Sequence, residues 1–302
     1  MFKGSFVALI TPFKENQIDY EALASLVEWH KQEGTHGIVV CGTTGEFSSL
    51  TPEEQHQILT VCLQTSQGKL PIIAGINAFT AKNAIELISQ AYEAGAQGAM
   101  VVNPPYIKPT QEALYEFFKT IHDQTKLPLI IYNNPGRTGT LIATHTIARL
   151  SYLERVIGVK DSSGDLLSLL ELRQLAKEDF TYLCGEDPMI VAFLAHGGHG
   201  CISVTANIAP KLCADLYNAW GNSNFKRMAE IRDLLAPLNK ALFVEGNPVP
   251  IKYASSLLGL CRNEVRLPLL PASENAQSAI KTALEYAGLL PKMIAPKVEA
   301  HG

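Results

Sequence analysis

Short apolar runs alternate with segments of helical spacing along most of the chain. Eight runs can be counted: FVALITPF from Phe6, GIVVCGT from Gly37, PIIAGI from Pro71, GAMVVNPP from Gly98, PLIIYNNP from Pro128, VIGVKDSS from Val156, FTYLCGED from Phe180 and GHGCISVTAN from Gly198. Nearly continuous apolar strands, separated by roughly 20 to 35 residues of helical pattern, are typical of parallel βαβ units. The predicted fold is therefore α/β, an eight-stranded parallel (β/α) TIM barrel rather than a doubly wound open sheet.

Helix starts are marked by threonines placed before the helical segments. Thr51 is followed by a proline and, three residues later, by Glu54, which together predict a capping box and a helix start. Thr110 and Thr80 head two further segments of the same kind. In the segment after Thr80, the helical spacing places Tyr92 on the inward face.

The strand pattern stops after Asn207, and only helical spacing continues to about residue 288. This predicts an eighth barrel helix followed by a C-terminal helical appendage. We therefore expect a barrel catalytic domain over residues 1–222 and a C-terminal helical region, packed on the barrel, over residues 223–302.

Composition and charge narrow the classes of partner. The 302 residues are 47% hydrophobic and 18% charged, with a formal net charge of −4. A chain without a basic face gives no indication of binding nucleic acid or an anionic membrane, so a small molecule is the better expectation. The six cysteines occur singly, and the N-terminus enters a strand pattern without a leader-like segment. We expect a cytoplasmic protein with reduced cysteines.

Polar residues follow the strands where each strand ends, which is where the chemistry of such a barrel lies. These ends are GTTGE from Gly42, NPPY from Asn103, YNNPGR from Tyr132, Lys160 itself, GED from Gly185 and SVT from Ser203. Hydroxyls, one lysine and one arginine should therefore converge on one rim.

Lys160 is the most informative of these residues, because it ends an otherwise apolar run. Alternation along a strand places it on the same side as Gly158 and Val156. If that side faces the interior, glycine leaves space beside the amine and apolar surroundings disfavour its charged form, so the amine could attack a carbonyl. The alternatives are a lysine that extends its amine to the solvent at the rim, or one that pairs with Asp161.

The other rim residues each have a structural and a functional interpretation. Tyr132 and Tyr106 could be core rings with hydroxyls in water, and Thr43 and Thr44 could bond only to local backbone. Arg137 follows a turn and could be solvated, or it could bind a substrate carboxylate through two hydrogen bonds.

Other chemistries lack support in the pattern. The pair His196 and His199 has no cysteine or carboxylate at ligand spacing, and the segment is better explained as a helix end leading into the eighth strand. The glycines of CGTTGEF form neither a P-loop nor a dinucleotide fingerprint, and no G-x-S-x-G elbow occurs.

Four motifs together resemble the dihydrodipicolinate synthase family of pyruvate-dependent Schiff-base aldolases. They are GTTGE at 42–46, YNNPGRTG at 132–139, GVKDSSG at 158–164 and FVEGNPVPIK at 243–252, and the resemblance spans almost the whole chain. It implies a cytoplasmic lyase of the diaminopimelate route to lysine. The enzyme would condense pyruvate with L-aspartate 4-semialdehyde, through a lysine Schiff base, to 4-hydroxy-tetrahydrodipicolinate.

The resemblance also implies catalytic roles. Lys160 would form the Schiff base, whose protonated nitrogen withdraws electrons so that the pyruvate methyl group loses a proton and becomes an enamine. Tyr132, Thr43 and Tyr106 would form the proton relay, with Tyr106 supplied by a neighbouring subunit.

Substrate binding and assembly follow from the same resemblance. Thr44 and the backbone of Ile202 would hold pyruvate beside Gly185, and Arg137 would bind the carboxylate of the semialdehyde. No metal or organic cofactor is implied, because the lysine supplies the electron sink. The family implies a homo-oligomer, commonly a homotetramer built from tight dimers.

Feedback inhibition is expected to be weak or absent. Relatives that are inhibited by L-lysine bind it at a subunit interface through polar, imidazole and carboxylate groups. The corresponding positions here carry no charge: Phe47, Pro52, Gln55, Phe79 and Asn83. Pro105 stands where many relatives have an interface tyrosine.

Two rival functions remain open at this point. One is a lyase of the same family that acts on pyruvate and a sugar-derived aldehyde, although such members generally lack the arginine motif around Arg137. The other is a non-catalytic barrel that binds a 2-oxo acid, which would not need Lys160, Tyr132, Tyr106 and Thr43 together.

Overall fold

The computed structural model describes residues 2–291, in which eight parallel strands close into a barrel. The strands are β1 Gly4–Ala8, β2 Phe13–Lys14, β3 Gln17–Ile18, β4 Gly37–Val40, β5 Ile72–Ile76, β6 Gly98–Val102, β7 Leu129–Asn133, β8 Val156–Asp161, β9 Thr181–Cys184 and β10 Gly200–Ser203. The short strands β2 and β3 form a separate antiparallel hairpin, and the other eight form the barrel. Each predicted run overlaps one barrel strand, so the predicted fold is confirmed.

Helices follow the barrel strands and continue beyond the last one. They are α1 Tyr20–Gln32, α2 Pro52–Ser66, α3 Ala81–Ala94, α4 Gln111–Gln124, α5 Pro135–Thr138, α6 Thr144–Ser151, α7 Leu166–Leu175, α8 Ile190–Ala195, α9 Pro210–Gly221, α10 Phe225–Ala241, α11 Val249–Leu257 and α12 Glu274–Tyr286. The helix α9 takes the place of the eighth barrel helix. Beyond it, α10 packs against α9 and α12, and α12 also packs against α11.

The helix starts predicted from threonines are confirmed. The Thr51 hydroxyl accepts a hydrogen bond from the Glu54 amide, and the Glu54 carboxylate accepts one from the Thr51 amide, which completes the capping box. The hydroxyls of Thr80 and Thr110 cap α3 and α4 by accepting hydrogen bonds from the amides of Asn83 and Ala113. Tyr92 does not face inward as expected, since 46% of its surface is exposed and Lys126 lies over its ring.

Strand β1 closes the barrel because it pairs with both of its neighbours. Phe6 lies opposite Ile202 on β10 and opposite Gly37 on β4. A Cβ atom at Gly37 would lie 2.1 Å from the Phe6 ring, so glycine at this position makes room for the phenyl group.

Alternation along the strands separates two layers of apolar side chains. Odd and even positions divide between the barrel interior and the layer beneath the helices. The interior cluster consists of Phe2, Phe6, Ala8, Val39, Ile73, Met100, Val102, Ile130, Tyr132, Leu183 and Ile202. The barrel is thus a packed core, and Tyr132 lies near the rim end of this cluster.

A register irregularity in β8 changes the predicted orientation of one residue. Leu129 on β7 pairs with Val156, but the next residue, Ile130, pairs with Gly158, so Ile157 has no partner of its own. As a result, Val156 packs in the outer layer, whereas Ile157 contacts the interior cluster. The expectation that Val156 shares a side with Lys160 was therefore wrong.

The C-terminal helices follow the barrel as predicted from the helical spacing after Asn207. The proposed division of the chain at residue 222 stays a prediction, and its last part, residues 292–302, lies outside the described residues. None of the helices within residues 2–291 combines the length and apolar character that crossing a membrane requires.

A buried imidazole in α1 adds a titratable group to the core. His30 is fully buried, its Nδ1 lies 2.9 Å from the Thr35 hydroxyl, and its Nε2 has no partner among the described residues. Burial lowers the pKa of His30 to about 3. The folded protein therefore holds this ring neutral, whereas the unfolded chain protonates it near its ordinary pKa of about 6.5.

We predict that His30 weakens the fold in acid. Above its unfolded pKa the ring is neutral in both states, and as the pH falls towards the folded pKa the unfolded chain alone gains the proton. Between about pH 7 and about pH 4.5, the wild type should lose about 2 to 3 kcal/mol more unfolding free energy than His30→Gln. Urea unfolding at both pH values measures this. His145→Gln makes the same change on the surface and should follow the wild type; equal pH dependence in all three proteins would contradict the prediction.

Candidate active site

A cavity of about 530 Å³ opens at the rim where the barrel strands end. It collects side chains from the ends of β4, β7, β8 and β9 and from the segment before α11. Its lining residues include Thr43, Thr44, Tyr132, Asn134, Arg137, Lys160, Ser162, Gly185, Glu186, Val204, Phe243 and Asn247. Six of the eight residues predicted from the sequence are thus brought together on one rim.

Lys160 is buried at the base of this cavity. Only 6% of its surface is exposed, and its Nζ lies 4.2 Å from the centre of the Tyr132 ring. Tyr132 is its partner residue on the neighbouring strand β7. Asp161, by contrast, accepts hydrogen bonds from Asn133 and Ser163. Among the described residues, no ion pair joins Lys160 to a carboxylate within 4.0 Å. Lys160 thus lines the cavity and does not pair with Asp161, so the pairing alternative does not apply.

Tyr132 is a buried phenol with a perturbed acidity. Its hydroxyl accepts a hydrogen bond of 2.7 Å from Asn134. Burial acts to raise the pKa of Tyr132, but the charge of Lys160, together with hydrogen bonds from Asn134 and Ser162, outweighs burial. The pKa of this phenol consequently lies below its usual value, which suits a group that exchanges protons at the site.

Asn247 connects the threonine turn to the arginine at the cavity mouth. Its side-chain amide donates a 3.0 Å hydrogen bond to the Thr44 hydroxyl. Its backbone carbonyl oxygen accepts a 3.0 Å hydrogen bond from the Arg137 guanidinium. Thr44 is buried, whereas Thr43 and Arg137 are more accessible. The arrangement leaves hydroxyls inside the cavity and a guanidinium at its entrance.

Two carboxylates follow β9 in different surroundings. Glu186 lines the cavity, and burial raises the pKa of its carboxyl although the Lys160 charge opposes this shift. Asp187 is fully buried and accepts hydrogen bonds from the Ser203 hydroxyl and, at 2.8 Å, from the Val204 amide. Burial also raises the pKa of Asp187. Asp187 thereby fixes the end of β10 beside the cavity.

Two predicted site residues do not line the cavity of their own chain. Tyr106 is 89% exposed and has a left-handed backbone conformation with φ of 75°. The side chain of Ile202 lies within the barrel interior, and Val204 lines the cavity instead. The role of the Ile202 backbone stays a prediction.

A metal centre finds no support in the described residues. Within residues 2–291, no three His, Cys, Asp or Glu side chains come together as possible ligands. His196 ends α8, and His199 accepts a hydrogen bond from the Tyr182 amide just before β10. The expectation that no metal or organic cofactor is needed stays a prediction.

Several cavity residues had no role in the sequence-based prediction. Asn134, Ser162, Phe243 and Asn247 all lie inside the quoted motifs, so the signal was present in the sequence. Their roles depend on which atoms meet across the rim, and this geometry is not encoded in the spacing.

Comparisons with known proteins identify the family of the chain. The family model described as "Dihydrodipicolinate synthetase family" matches residues 1–287. The chain belongs to this family. Over 290 residues, it is 49% identical to the 4-hydroxy-tetrahydrodipicolinate synthase of Rhodospirillum centenum, covering 96% of this chain and 100% of the relative.

Solved structures of family members have the same fold. The dihydrodipicolinate synthase of Acinetobacter baumannii, complexed with pyruvate, is similar with a TM-score of 0.93 and 38% identity, over 96% of this chain and 100% of that one. The enzyme of Cyanidioschyzon merolae, with lysine bound, is similar with a TM-score of 0.93 and 31% identity, over 96% and 99% of the two chains.

We predict that the space beside Lys160 requires glycine at position 185. A Cβ atom there would lie 1.9 Å from the Ser162 hydroxyl and 3.0 Å from both the Asp161 carbonyl oxygen and the Lys160 Cε. Gly185→Ala should therefore displace the lysine and lower kcat/KM at least about tenfold.

The matched control for this prediction is Gly136→Ala, on the same cavity. The nearest atom to its new Cβ would be the side-chain oxygen of Asn134, at 3.7 Å, so kcat/KM should stay within about twofold of wild type. Steady-state rates over a pyruvate series compare the two variants. Equal activity of both would show that the close contact at Gly185 has no catalytic consequence.

Proposed function

We propose that Lys160 is the Schiff-base lysine of this enzyme and that the rim cavity binds both substrates. The activity is that of a 4-hydroxy-tetrahydrodipicolinate synthase, a lyase that condenses pyruvate with L-aspartate 4-semialdehyde in lysine biosynthesis. The observation that carries the proposal is the burial of Lys160 at the base of a cavity whose lining includes hydroxyls and a guanidinium.

The chemistry begins at Nζ of Lys160. Once it has lost its proton, the amine attacks C2 of pyruvate, and loss of water gives the Schiff base. Its protonated nitrogen accepts electrons as the pyruvate methyl group releases a proton, which yields an enamine. The enamine carbon attacks the aldehyde carbon of the second substrate. The amino group of that substrate then displaces Lys160 as the ring closes, so the free lysine is restored.

Protons move through hydroxyls beside the lysine. Tyr132 lies against Lys160, and its lowered pKa lets it give and regain a proton more readily than an ordinary tyrosine. Thr43 lies on the same cavity wall and would relay the proton towards solvent. Tyr106 would complete this relay from a neighbouring subunit.

Substrate carboxylates are bound at two places. Thr44 and the backbone of Ile202 hold the carboxylate of pyruvate, with the space at Gly185 admitting the ketone. Arg137, at the cavity mouth, binds the carboxylate of the semialdehyde through its guanidinium. This placement favours an amino-acid aldehyde over the sugar-derived aldehydes of the rival lyase.

The assembly that we propose is a homo-oligomer, a tetramer of tight dimers, with Tyr106 crossing the dimer interface. The ring of Tyr106 is almost fully exposed on its own chain, and neighbouring Ile107 is 59% exposed. Large apolar side chains that are exposed together support a covering partner. A cytoplasmic location is supported by the six cysteines, none of which forms a disulfide within residues 2–291.

We propose further that residues 1–222 act as the catalytic barrel and that residues 223–302 support it. Asn247 and α11 contact the rim from the C-terminal region, which is consistent with this division.

We predict that two inactive chains restore activity when mixed. A Tyr106→Phe chain keeps Lys160, and a Lys160→Ala chain keeps Tyr106, so one site of each mixed dimer contains both groups. Random mixing should give roughly one quarter of wild-type activity. Enzyme assays after dissociation and reassociation of the chains measure it.

The control replaces the Lys160→Ala chain by one carrying both substitutions, which should restore nothing. Absence of recovery, when mixed dimers have been demonstrated by native mass spectrometry, would mean that Tyr106 serves its own subunit or is not catalytic.

We predict that L-lysine inhibits this enzyme weakly. The positions that correspond to the lysine site of sensitive relatives are uncharged, and binding the charged ends of lysine without ionic partners costs about a few kcal/mol, or roughly a hundredfold in affinity. Initial rates at subsaturating pyruvate over a lysine titration test this, with a lysine-inhibited relative as positive control. Saturable inhibition at low lysine concentration would overturn the prediction.

A further inference from the structure

An ion pair is buried behind the turn that carries Thr43 and Thr44. The ammonium of Lys252, on α11, lies 2.7 Å from the Glu46 carboxylate, and the two side chains are 0% and 1% exposed. The same ammonium donates a 2.7 Å hydrogen bond to the Thr11 carbonyl oxygen. Neither Glu46 nor Lys252 lines the cavity at the rim.

Burial of two charges is not explained by stability alone. Removing both ions from water costs several kcal/mol each, and a well-packed apolar pair is often as stable. Burial acts to lower the pKa of Lys252, and although the Glu46 carboxylate opposes it, the net shift is downward.

The ammonium of Lys252 contacts three groups around the turn. Besides Glu46 and Thr11, its ammonium lies 3.9 Å from the centre of the Phe13 ring, and the Arg266 guanidinium lies 4.5 Å from the same ring. The second oxygen of the Glu46 carboxylate accepts a 3.1 Å hydrogen bond from the Arg266 amide. The pair thus contacts buried groups, Thr11 and Phe13 among them.

Glu46 is the last residue of the threonine turn. Its amide donates a hydrogen bond of 3.1 Å to the Thr43 carbonyl oxygen, and its backbone is left-handed with φ of 55°. The Thr11 hydroxyl donates a 2.7 Å hydrogen bond to the carbonyl oxygen of Gly45. The carboxylate of Glu46 consequently anchors the end of the turn to Lys252 and to the Arg266 amide.

The cavity side of the same turn is held by the same C-terminal segment. Asn247 donates to the Thr44 hydroxyl, and Lys252 lies five residues further along in the same motif. One short segment, residues 247–252, therefore holds the turn both at a cavity-facing hydroxyl and at the buried carboxylate.

We propose that the Glu46–Lys252 pair is a positioning device that sets the hydroxyls of Thr43 and Thr44 relative to Lys160. The inference rests on the proposed roles of those threonines. Glu46 and Lys252 are positioning residues, because they touch neither the substrate nor Lys160.

The test uses the full-length double variant Glu46→Gln/Lys252→Met. Removing both charges leaves no unpaired buried ion, and the new side chains have similar volumes, so the chain should fold. With the turn loosened, the pyruvate concentration for half-maximal rate should rise and kcat/KM should fall at least about tenfold. Borohydride at saturating pyruvate should still label Lys160, because the barrel strand carrying it is untouched.

The stability control is Ile121→Ala, at the end of α4. Ile121 is fully buried, and the helix runs back along the barrel, so this residue lies towards the opposite rim. The variant should lower the melting temperature through a core cavity, yet keep kcat/KM within about twofold. If Ile121→Ala had the same melting temperature as the double variant and lost as much kcat/KM, the inference would be overturned.

A cycle with Thr44→Val separates the inference from the proposed function. If the pair acts through this hydroxyl, adding Thr44→Val to the pair variant should lower kcat/KM clearly less than Thr44→Val lowers it in the wild type. Fully additive losses, or an unchanged kcat/KM in the pair variant, would overturn the inference alone. An unchanged pyruvate dependence in Thr44→Val would instead overturn the proposed role of Thr44, and the inference with it.

Discussion

Strand β1 hydrogen-bonds to β4 on one side and to β10 on the other, and this pairing closes the parallel sheet. Because all eight strands are parallel, every strand ends at the same rim, and closure arranges these ends around one opening. Residues far apart in the chain, such as Thr43, Tyr132 and Lys160, therefore meet around one cavity. The apolar interior below them excludes water and forms the base of the site.

The chemistry of the site depends on how Lys160 is buried. The lysine lies against the Tyr132 ring, without an ion-pair partner among residues 2–291, while the nearby carboxylate of Asp161 is engaged by other groups. Its charge in turn helps to lower the pKa of Tyr132. In the proposed mechanism, the deprotonated amine is the nucleophile and the protonated amine helps to lower the pKa of Tyr132, the proposed proton-exchange partner on the adjacent strand.

The features set by local sequence could be predicted, and those set by long-range pairing could not. The eight strands, the capped helix starts and the polar strand ends follow from periodicity and capping residues, and Lys160 follows from its place at the end of an apolar run. The bulge at Ile157 depends on pairing with β7, so simple alternation placed Val156 on the wrong side. The Glu46–Lys252 contact joins residues about 200 positions apart, which a single sequence does not indicate.

The central claim is that Lys160 forms the covalent bond to pyruvate. Incubation of the wild-type protein with pyruvate and borohydride, followed by peptide mass spectrometry, tests it most directly. The account predicts a stable added mass on the peptide that contains Lys160, and none after Lys160→Ala. A label on another lysine, or no pyruvate-dependent label on an active enzyme, would contradict it.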